Sequence, residues 1–300
     1  MRIRIGSRKS KLSLIQTNMV VELIGKYFPD IECVRVPIVT TGDKITDKNL
    51  YDIGGKALFL KELEEQLLDK KIDLAVHSLK DVPGILPDGL SIAAVLERAD
   101  PRDCFVSLNY KSIEELPYGA MIGSSSVRRT VILQQQRPDL KIVQFRGNID
   151  TRLNKLQNEE VDATILACAG LFRAGLFNSS YCYPLEVEEM LPAAGQGIIG
   201  IQVRDNDRNM QDICNKINHL ETWHLAQAER GFLSYLDAGC RTPLSAHAIF
   251  TGDKIKASYM LSDIEGKKIQ YHQELGGIET ALDMGVKAAI ELSNRYGEEA

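Results

Sequence analysis

The sequence lacks a hydrophobic run that approaches the roughly 20 residues needed to span a membrane. Its basic start, MRIRIGSRKSK, is not followed by the apolar stretch of a secretory signal peptide, so we expect a cytoplasmic protein. An excess of positive charge is missing too. The formal net charge of −5 disfavours nucleic-acid partners, which require a basic field, and nothing predicts a membrane partner. An anionic ligand would have to be held by local cations.

Motifs for metals and nucleotides are also missing. The six cysteines lie far apart without a Cys-x-x-Cys pair, which argues against a zinc site or a disulfide framework, and we expect most of them to be reduced core residues. The run Gly54-Gly55-Lys56 lacks the spacing of a P-loop, so we reject nucleoside triphosphate binding. Cys240 differs, because it lies beside Arg241 and a neighbouring cation lowers the pKa of a thiol. Taken alone, however, a structural Cys240 is the better interpretation.

The chain has the composition of a globular protein, with 44% hydrophobic and 26% charged residues in 300. Strands alternate with helices, which predicts largely parallel sheets. The charged run Glu97 to Arg102 predicts a crossing into a second α/β lobe, and the strand Ile198 to Val203 predicts a return to the first. Two lobes joined twice would form a hinged cleft. We expect a first lobe at 1–96 and 197–215, a second at 102–190, and a small α+β domain at 219–300.

Polar residues follow the strand in Ile72 to Pro83, IDLAVHSLKDVP. Ser78, Lys80 and Asp81 fall at its predicted carboxyl end, where α/β sheets bind ligands. By itself this segment is better explained as a solvated loop, since a short motif without context often matches by chance. His77 is most simply a hydrogen-bonded histidine at the strand end.

Cations recur at other predicted strand ends and helix starts, which is typical of a carboxylate or phosphate site. Hydroxyl groups accompany them and can cap helices or bind an oxyanion. Exposed arginines beside ordinary capped helices are the alternative. The residues concerned are Arg8 with Ser10 and Lys11, Ser124, Ser125 and Ser126 with Arg128 and Arg129, Arg146, Arg152, and Arg173.

Together these motifs resemble the porphobilinogen deaminase family, also called hydroxymethylbilane synthases. The resemblance spans nearly the whole chain in the family's order. It is carried by Gly6-Ser7-Arg8-Lys9-Ser10, Val76 to Pro83 (VHSLKDVP), Gly123 to Arg129 (GSSSVRR), Arg146-Gly147-Asn148 with Thr151-Arg152-Leu153, Pro192 to Gly197 (PAAGQG), and Glu229-Arg230 ahead of Gly239 to Pro243 (GCRTP).

The resemblance implies a transferase of tetrapyrrole (haem) biosynthesis that joins four porphobilinogen molecules head to tail, releases ammonia, and hydrolyses off the linear product. It implies two lobes like those of a periplasmic binding protein, a C-terminal α+β domain, and a monomer. It also implies a dipyrromethane cofactor held by a thioether to Cys240. No metal is implied.

The matching positions imply residue roles. Asp81 matches the catalytic aspartate, whose fixed carboxylate can stabilise a pyrrolium-like cation. The positions that match cofactor binding are Asp43, Lys56, Ser78, Lys80, Ser124, Ser125, Ser126, Arg128 and Arg129. Those that match substrate binding are Arg8, Ser10, Gln16, Arg146, Arg152, Arg173 and Gln196.

Ala238, where the family usually has glycine, and Arg241, where it often has glutamine, depart from the pattern. Two other classes stay open: a binding protein without catalysis that captures an anionic solute, and a cytosolic ligand sensor. Neither would need the chemistry of Asp81 or a covalent group on Cys240.

Overall fold

The computed structural model describes residues 1–44, 60–236 and 242–298, and its strands form three sheets. The first sheet has the order β2-β1-β3-β10-β4. Strand β1 is parallel to β2 and β3, whereas β10 is antiparallel to β3 and β4. The elements around this sheet are β1 (Arg2–Arg8), α1 (Lys11–Tyr27), β2 (Glu32–Ile38), α2 (Thr41–Lys44), α3 (Lys61–Leu68), β3 (Leu74–Ser78), β4 (Leu90–Val95), β10 (Ile199–Arg204) and α7 (Arg208–Ile217).

The second sheet has the order β7-β6-β8-β5-β9. Strand β6 is parallel to β7 and β8, and β5 is antiparallel to β8 and β9. Its elements are β5 (Asp103–Val106), β6 (Met121–Gly123), α4 (Val127–Gln136), β7 (Lys141–Val143), α5 (Ile149–Gln157), β8 (Ala163–Ala167), α6 (Cys168–Arg173) and β9 (Cys182–Pro184).

The two crossings explain both a correct and a wrong prediction. The expected return of the chain is confirmed, because β10 lies between β3 and β4. The expectation of largely parallel sheets fits four of the five strands in each of these two sheets and is wrong for β10 and β5, which each run antiparallel to both of their neighbours. Each of these two strands follows a segment that crosses from the other sheet, and not a helix that packs on its own sheet. The right-handed βαβ connection that makes strands parallel therefore does not apply to them.

The third sheet is antiparallel, with the order β11-β12-β13, and helices α8 and α9 cover it. The tilted rings of Phe232 of α8 and Tyr259 of β12 pack together in its core, with their centroids 4.9 Å apart. The helices touch closely at Gly231, where a Cβ would clash with the carbonyl oxygen of Leu282. The elements are α8 (Leu220–Tyr235), β11 (Leu244–Thr251), β12 (Lys254–Ser262), β13 (Ile269–Gly277) and α9 (Ala281–Glu298).

A buried carboxylate joins both crossings to this third sheet. Glu229 of α8 is fully buried and accepts a hydrogen bond from Arg98 at 2.5 Å. It also accepts the backbone N–H groups of Gly195 at 2.6 Å and Ala248 at 2.8 Å. One side chain thus holds a residue of each crossing and a strand of the C-terminal sheet.

The cysteines fit the prediction as far as they are described. Cys33, Cys104, Cys168, Cys182 and Cys214 are free thiols, and all but Cys33 are buried. Within the described ranges, no helix is both long and apolar enough to cross a membrane.

Candidate functional site

The segment after β3 turns sharply and brings two charged side chains to the junction of the lobes. Leu79, which is 1% exposed, anchors a 3-10 turn over Leu79–Asp81. Lys80 and Asp81 are half-buried in that turn. The ammonium of Lys80 donates to the side-chain oxygen of Gln196 at 3.3 Å, so this turn contacts the second crossing.

The serine-rich start of α4 forms the opposite side of the site. Ser126 caps the helix by accepting the N–H of Arg129 at 3.4 Å. Ser125 accepts the N–H of Phe145 at 3.0 Å, and Ser124 accepts the N–H of Ser126 at 3.2 Å. These hydroxyls therefore fix the loop that leads into the two arginines.

Asp103 at the start of β5 holds Arg128 and Arg129. Its carboxylate accepts one hydrogen bond of 2.7 Å from each guanidinium and one of 2.8 Å from Gln196. Burial alone would raise the pKa of Asp103, but Arg128 and Arg129 hold that pKa well below its usual range. One buried carboxylate thus faces two buried cations.

Further cations lie close to this pair, and we call Lys80, Arg128, Arg129, Arg146 and Arg152 the cationic cluster. Burial, followed by the charge of Arg129, lowers the pKa of Lys80 to about 8. Burial, with the charges of Arg129 and Arg146, lowers the pKa of Arg152 to about 10. The Nε of Arg129 is buried without a hydrogen-bond partner among the described residues. A bound anion would offset both causes of these shifts, the loss of solvation on burial and the repulsion between neighbouring cations.

The start of α1 lies on the same side of the molecule as the turn after β3. Ser10 caps α1 by accepting the N–H of Ser13 at 3.3 Å. The Gln16 amide lies 2.8 Å from the hydroxyl of Ser78. His77 is buried, and burial, with the nearby charge of Arg8, lowers its pKa to about 4, so it is neutral at pH 7. Its ring hydrogen-bonds Gln202 at 3.0 Å, in agreement with the simple interpretation of His77.

Arg152 and Arg173 are anchored by backbone carbonyls. Arg152 of α5 donates to the carbonyl of Gly147 at 2.9 Å, and Arg173 at the end of α6 donates to that of Gly197 at 2.7 Å. Burial lowers the pKa of Arg173 to about 10. Its Nε is buried without a hydrogen-bond partner in the described part of the chain.

Several predicted residues are outside what the structure describes. Lys56 and Cys240 lie outside the described residues, and Asp43 is described only as a backbone position in α2. Gln196 is described, but it is 1% exposed and bonded to Lys80, Asp103 and the carbonyl of Pro101. It lies beneath the cationic cluster and not on its surface.

Asp103 and the connecting role of Arg98 were not predicted from the sequence. Arg98 lies in the run Glu97 to Arg102, which was interpreted only as a crossing, and Asp103 directly follows that run as the first residue of β5. The density of charge in this segment was an available signal of buried ion pairs. Charged residues are almost never fully buried unless they are paired, so charges next to a core strand indicate partners elsewhere in the chain. Asp103 has no exposed surface.

Comparison with known proteins gives a family match over most of the chain. Residues 3–212 match the family model described as porphobilinogen deaminase, dipyromethane cofactor binding domain, and residues 223–294 match porphobilinogen deaminase, C-terminal domain. The chain is 57% identical over 294 residues to a porphobilinogen deaminase of Rickettsia akari (strain Hartford), with 98% of each chain covered. It is 58% identical over 289 residues to that of Rickettsia bellii (strain OSU 85-389), with 96% of each covered.

Solved structures give weaker matches. A nutrient binding protein from Burkholderia cenocepacia bound to methionine matches 72% of this chain and 89% of its own, with 15% identity and a TM-score of 0.44. The BenM effector binding domain with benzoate matches 74% and 92%, with 13% identity and a TM-score of 0.46. The two α/β lobes are therefore established by the strand order above and not by these likenesses.

Proposed function

Because the chain belongs to the porphobilinogen deaminase family, we propose that its cationic cluster holds the carboxylates of a bound pyrrole chain. The observation that carries the proposal is the geometry of the cluster: Arg128 and Arg129 share the single buried carboxylate of Asp103, and the buried Nε of Arg129 has no partner among the described residues. The lowered pKa of Lys80, to about 8, agrees with this crowding of cations. Burying like charges together costs stability unless a ligand of opposite charge binds. A ligand with several carboxylates supplies that charge.

The enzyme is a hydroxymethylbilane synthase, a transferase of haem biosynthesis. It condenses four porphobilinogen molecules head to tail, releases ammonia at each condensation, and hydrolyses off the linear tetrapyrrole hydroxymethylbilane. Each pyrrole carries an acetate and a propionate, so the negative charge of the ligand grows as the chain lengthens. A site with several arginines in a protein of net charge −5 suits such a ligand.

The family's dipyrromethane cofactor supplies, when bound, the primer to which new pyrroles are joined. We infer that a thioether attaches it to Cys240. The cationic cluster fits such a group, because its described cations outnumber Asp81 and Asp103 and the buried Nε of Arg129 lacks a described partner. The residues that we propose to hold it are Asp43, Lys56, Ser78, Lys80, Ser124, Ser125, Ser126, Arg128 and Arg129.

Asp81 is the proposed catalytic residue. Its carboxylate lies in the same turn as Lys80, and its charge acts on Lys80 together with that of Asp103. In this position Asp81 stabilises the positive charge that develops on a pyrrole ring as ammonia leaves and the new carbon–carbon bond forms. It then accepts the proton that the ring gives up.

The residues proposed to bind porphobilinogen or the growing chain are Arg8, Ser10, Gln16, Arg146, Arg152 and Arg173. We propose that Gln196 acts through Lys80 and not by touching the substrate. It is 1% exposed and accepts a hydrogen bond from the ammonium of Lys80. Gln196 is thus a positioning residue for the first lobe's cation.

We further propose three domains: a first at 1–96 with 197–215, a second at 102–190, and a third at 219–300. The chain passes from the first sheet to the second at residues 97–102 and returns to the first sheet at residues 191–198. We propose that the protein acts in the cytoplasm as a monomer, with porphobilinogen as its small-molecule substrate and without a nucleic-acid or membrane partner. The acidic net charge supports the absence of a nucleic-acid partner.

The experiment that tests the proposal is the intact mass of the denatured protein purified from cells that make porphobilinogen. We expect the mass of the chain plus a dipyrromethane. The addition should be missing in Cys240→Ser and present in Cys214→Ser, because Cys214 is buried in α7. If the chain stays unmodified after incubation with porphobilinogen, the covalent mechanism is wrong and a binding protein without catalysis is favoured.

A further inference from the structure

A small cavity lies between the first lobe and helix α8. Its volume is about 130 Å³, and no residue of the cationic cluster lines it. The first lobe supplies an apolar wall made of Leu86, Ile92 and Val95. These side chains pack in one apolar cluster with Leu79 and Val82, the residues that flank Lys80 and Asp81. The cavity therefore adjoins the packing that holds the proposed catalytic turn.

One face of α8 forms the other wall of the cavity. The residues that line it are Trp223, Ala226, Gln227 and Arg230. Their spacing of three, four and seven positions places them on the same side of the helix. Phe232 of α8 packs instead in the core of the C-terminal sheet. A ligand in the cavity would thus meet an indole ring and a guanidinium from α8 and an apolar surface from the first lobe.

Arg230 is a half-buried cation that forms no ion pair with a carboxylate in the described part of the chain. Its guanidinium donates to the carbonyl of Pro83 at 3.0 Å and to that of Val82 at 3.4 Å. Burial lowers the pKa of Arg230 to about 10, so it stays charged at pH 7. Arg128 and Arg129, by contrast, each have a carboxylate oxygen at 2.7 Å. A guanidinium that is bonded only to neutral carbonyls has the most to gain from an anion.

We propose that this cavity is a second ligand site, for a monocyclic aromatic carboxylate, of which benzoate is the representative. The ring packs between Trp223 and the apolar wall of the first lobe, and the carboxylate accepts hydrogen bonds from Arg230. An apolar cavity of roughly 150 Å³ accommodates benzene, so the volume here suits a single ring. The planar guanidinium matches the geometry of a carboxylate and selects it over a neutral group.

Binding in this cavity acts on the catalytic turn. Arg230 holds the carbonyls of Val82 and Pro83, which directly follow Asp81. A carboxylate competes with these carbonyls for the guanidinium, because charge-assisted hydrogen bonds are stronger than those to neutral acceptors. The chain after Asp81 then loses an anchor, so kcat should fall several-fold at saturating benzoate while KM stays nearly unchanged. This consequence rests on the proposed function, and a rise in KM at constant kcat would contradict it.

The test uses Trp223 as the reporter, because it is the only tryptophan of the chain. The holoenzyme is titrated with benzoate at pH 7 and constant ionic strength while tryptophan fluorescence is recorded. We expect a saturable change with a dissociation constant of roughly 10 µM to 1 mM, the range for a ligand of this size. Methyl benzoate keeps the ring but lacks the charge, and it should bind at least roughly 10-fold more weakly.

Variants locate the site. Arg230→Gln should weaken benzoate binding by roughly 10- to 100-fold, as expected for the loss of hydrogen bonds to a charged group. Ala226→Leu should abolish binding, because the larger side chain fills the cavity. Two controls should leave the affinity unchanged: Lys80→Gln in the cationic cluster, and Arg295→Gln, whose exposed guanidinium pairs with Glu291.

The proposal is overturned if fluorescence shows no saturable change up to about 10 mM benzoate, or if Arg230→Gln binds benzoate as tightly as the parent. Loss of binding in Lys80→Gln would also overturn it, because benzoate would then occupy the cationic cluster. Should a cavity variant fail to fold by circular dichroism, equal affinity of the parent for benzoate and methyl benzoate still refutes the role of Arg230. Because fluorescence is measured without porphobilinogen, a negative result leaves the proposed function standing. Conversely, a chain that carries no dipyrromethane can still bind benzoate as proposed.

Discussion

Replacing Asp103 by asparagine would remove the buried charge that Arg128 and Arg129 share while keeping the shape of the side chain. In the parent protein, both guanidiniums lie 2.7 Å from the carboxylate, and the three side chains are at most 8% exposed. Loss of one partner of a buried ion pair costs about 3–5 kcal/mol, because the remaining charge stays buried without compensation. The amide introduced by Asp103→Asn would, in addition, direct a donor toward a guanidinium. We expect a loss of stability in that range.

Amide hydrogen exchange is the suitable assay, because a chain with several lobes need not unfold in one step. A change of 1.36 kcal/mol is tenfold in an equilibrium, so amides of β5 and β8 should exchange about 100-fold to several thousand-fold faster in Asp103→Asn. Amides of the first sheet should change less. The control is Asp150→Asn, since the ion pair of Asp150 with Lys11 is 3.1 Å long between side chains 40% and 57% exposed. Such an exposed pair contributes at most about 1 kcal/mol.

The pH dependence gives a second check with a defined sign. Asp103 has a lowered pKa in the folded protein, so its carboxylate contributes stability above the unfolded pKa of about 3.9. This stability is lost as the pH falls from about 4 toward the folded pKa. Asp103→Asn should lack the part of the stability loss at low pH that protonation of Asp103 causes in the parent protein. Exchange in β5 and β8 within tenfold of the parent rate at pH 7 would refute the reasoning.

The remaining predictions concern catalysis, ligand charge and packing. Asp81→Asn should retain the fold and the bound cofactor but lose most turnover, measured as the rate of porphobilinogen consumption. The intact mass of the variant should still include the dipyrromethane, and near-normal activity would remove Asp81 from the mechanism. Since burial lowers the pKa of Lys80 to about 8, the site loses a positive charge as the pH rises through that value, and KM should increase there. Lys80→Gln should have a higher KM at pH 7, and its KM should not rise further near pH 8. If the rise in KM near pH 8 persists in Lys80→Gln, another group causes it. Gly231→Ala should destabilise the C-terminal domain by about 1–3 kcal/mol in thermal denaturation, because the added Cβ would clash with the carbonyl oxygen of Leu282. Gly277→Ala, whose Cβ has open space, should change stability by no more than about 0.5 kcal/mol, and equal effects would contradict the packing argument.

Hydrophobic periodicity located most of the strands that the structure describes. The prediction of a strand at Ala163 to Ala167 agrees with β8, and Ile198 to Val203 lies within one residue of β10 at each end. Strand β9 was missed, because three residues that include Pro184 are too short for a periodic pattern. Strand direction was also missed for β5 and β10. Alternation of apolar residues reports which face is buried, and it contains no information about the direction of the neighbouring strand.

The candidate site also has features that the local sequence predicts and features that only the folded chain shows. Local sequence determined the chemistry, because the cations and hydroxyls of Ser78 to Asp81 and Ser124 to Arg129 stand next to strand ends and helix starts, which lie together in α/β folds. Only the tertiary structure decided which of these groups are already paired. Asp103 reaches Arg128 across 25 positions and Gln196 across 93, and Gln196 also holds Lys80. The physical reason is that the energy of a buried charge depends on every group around it, and those groups come from segments that folding alone brings together.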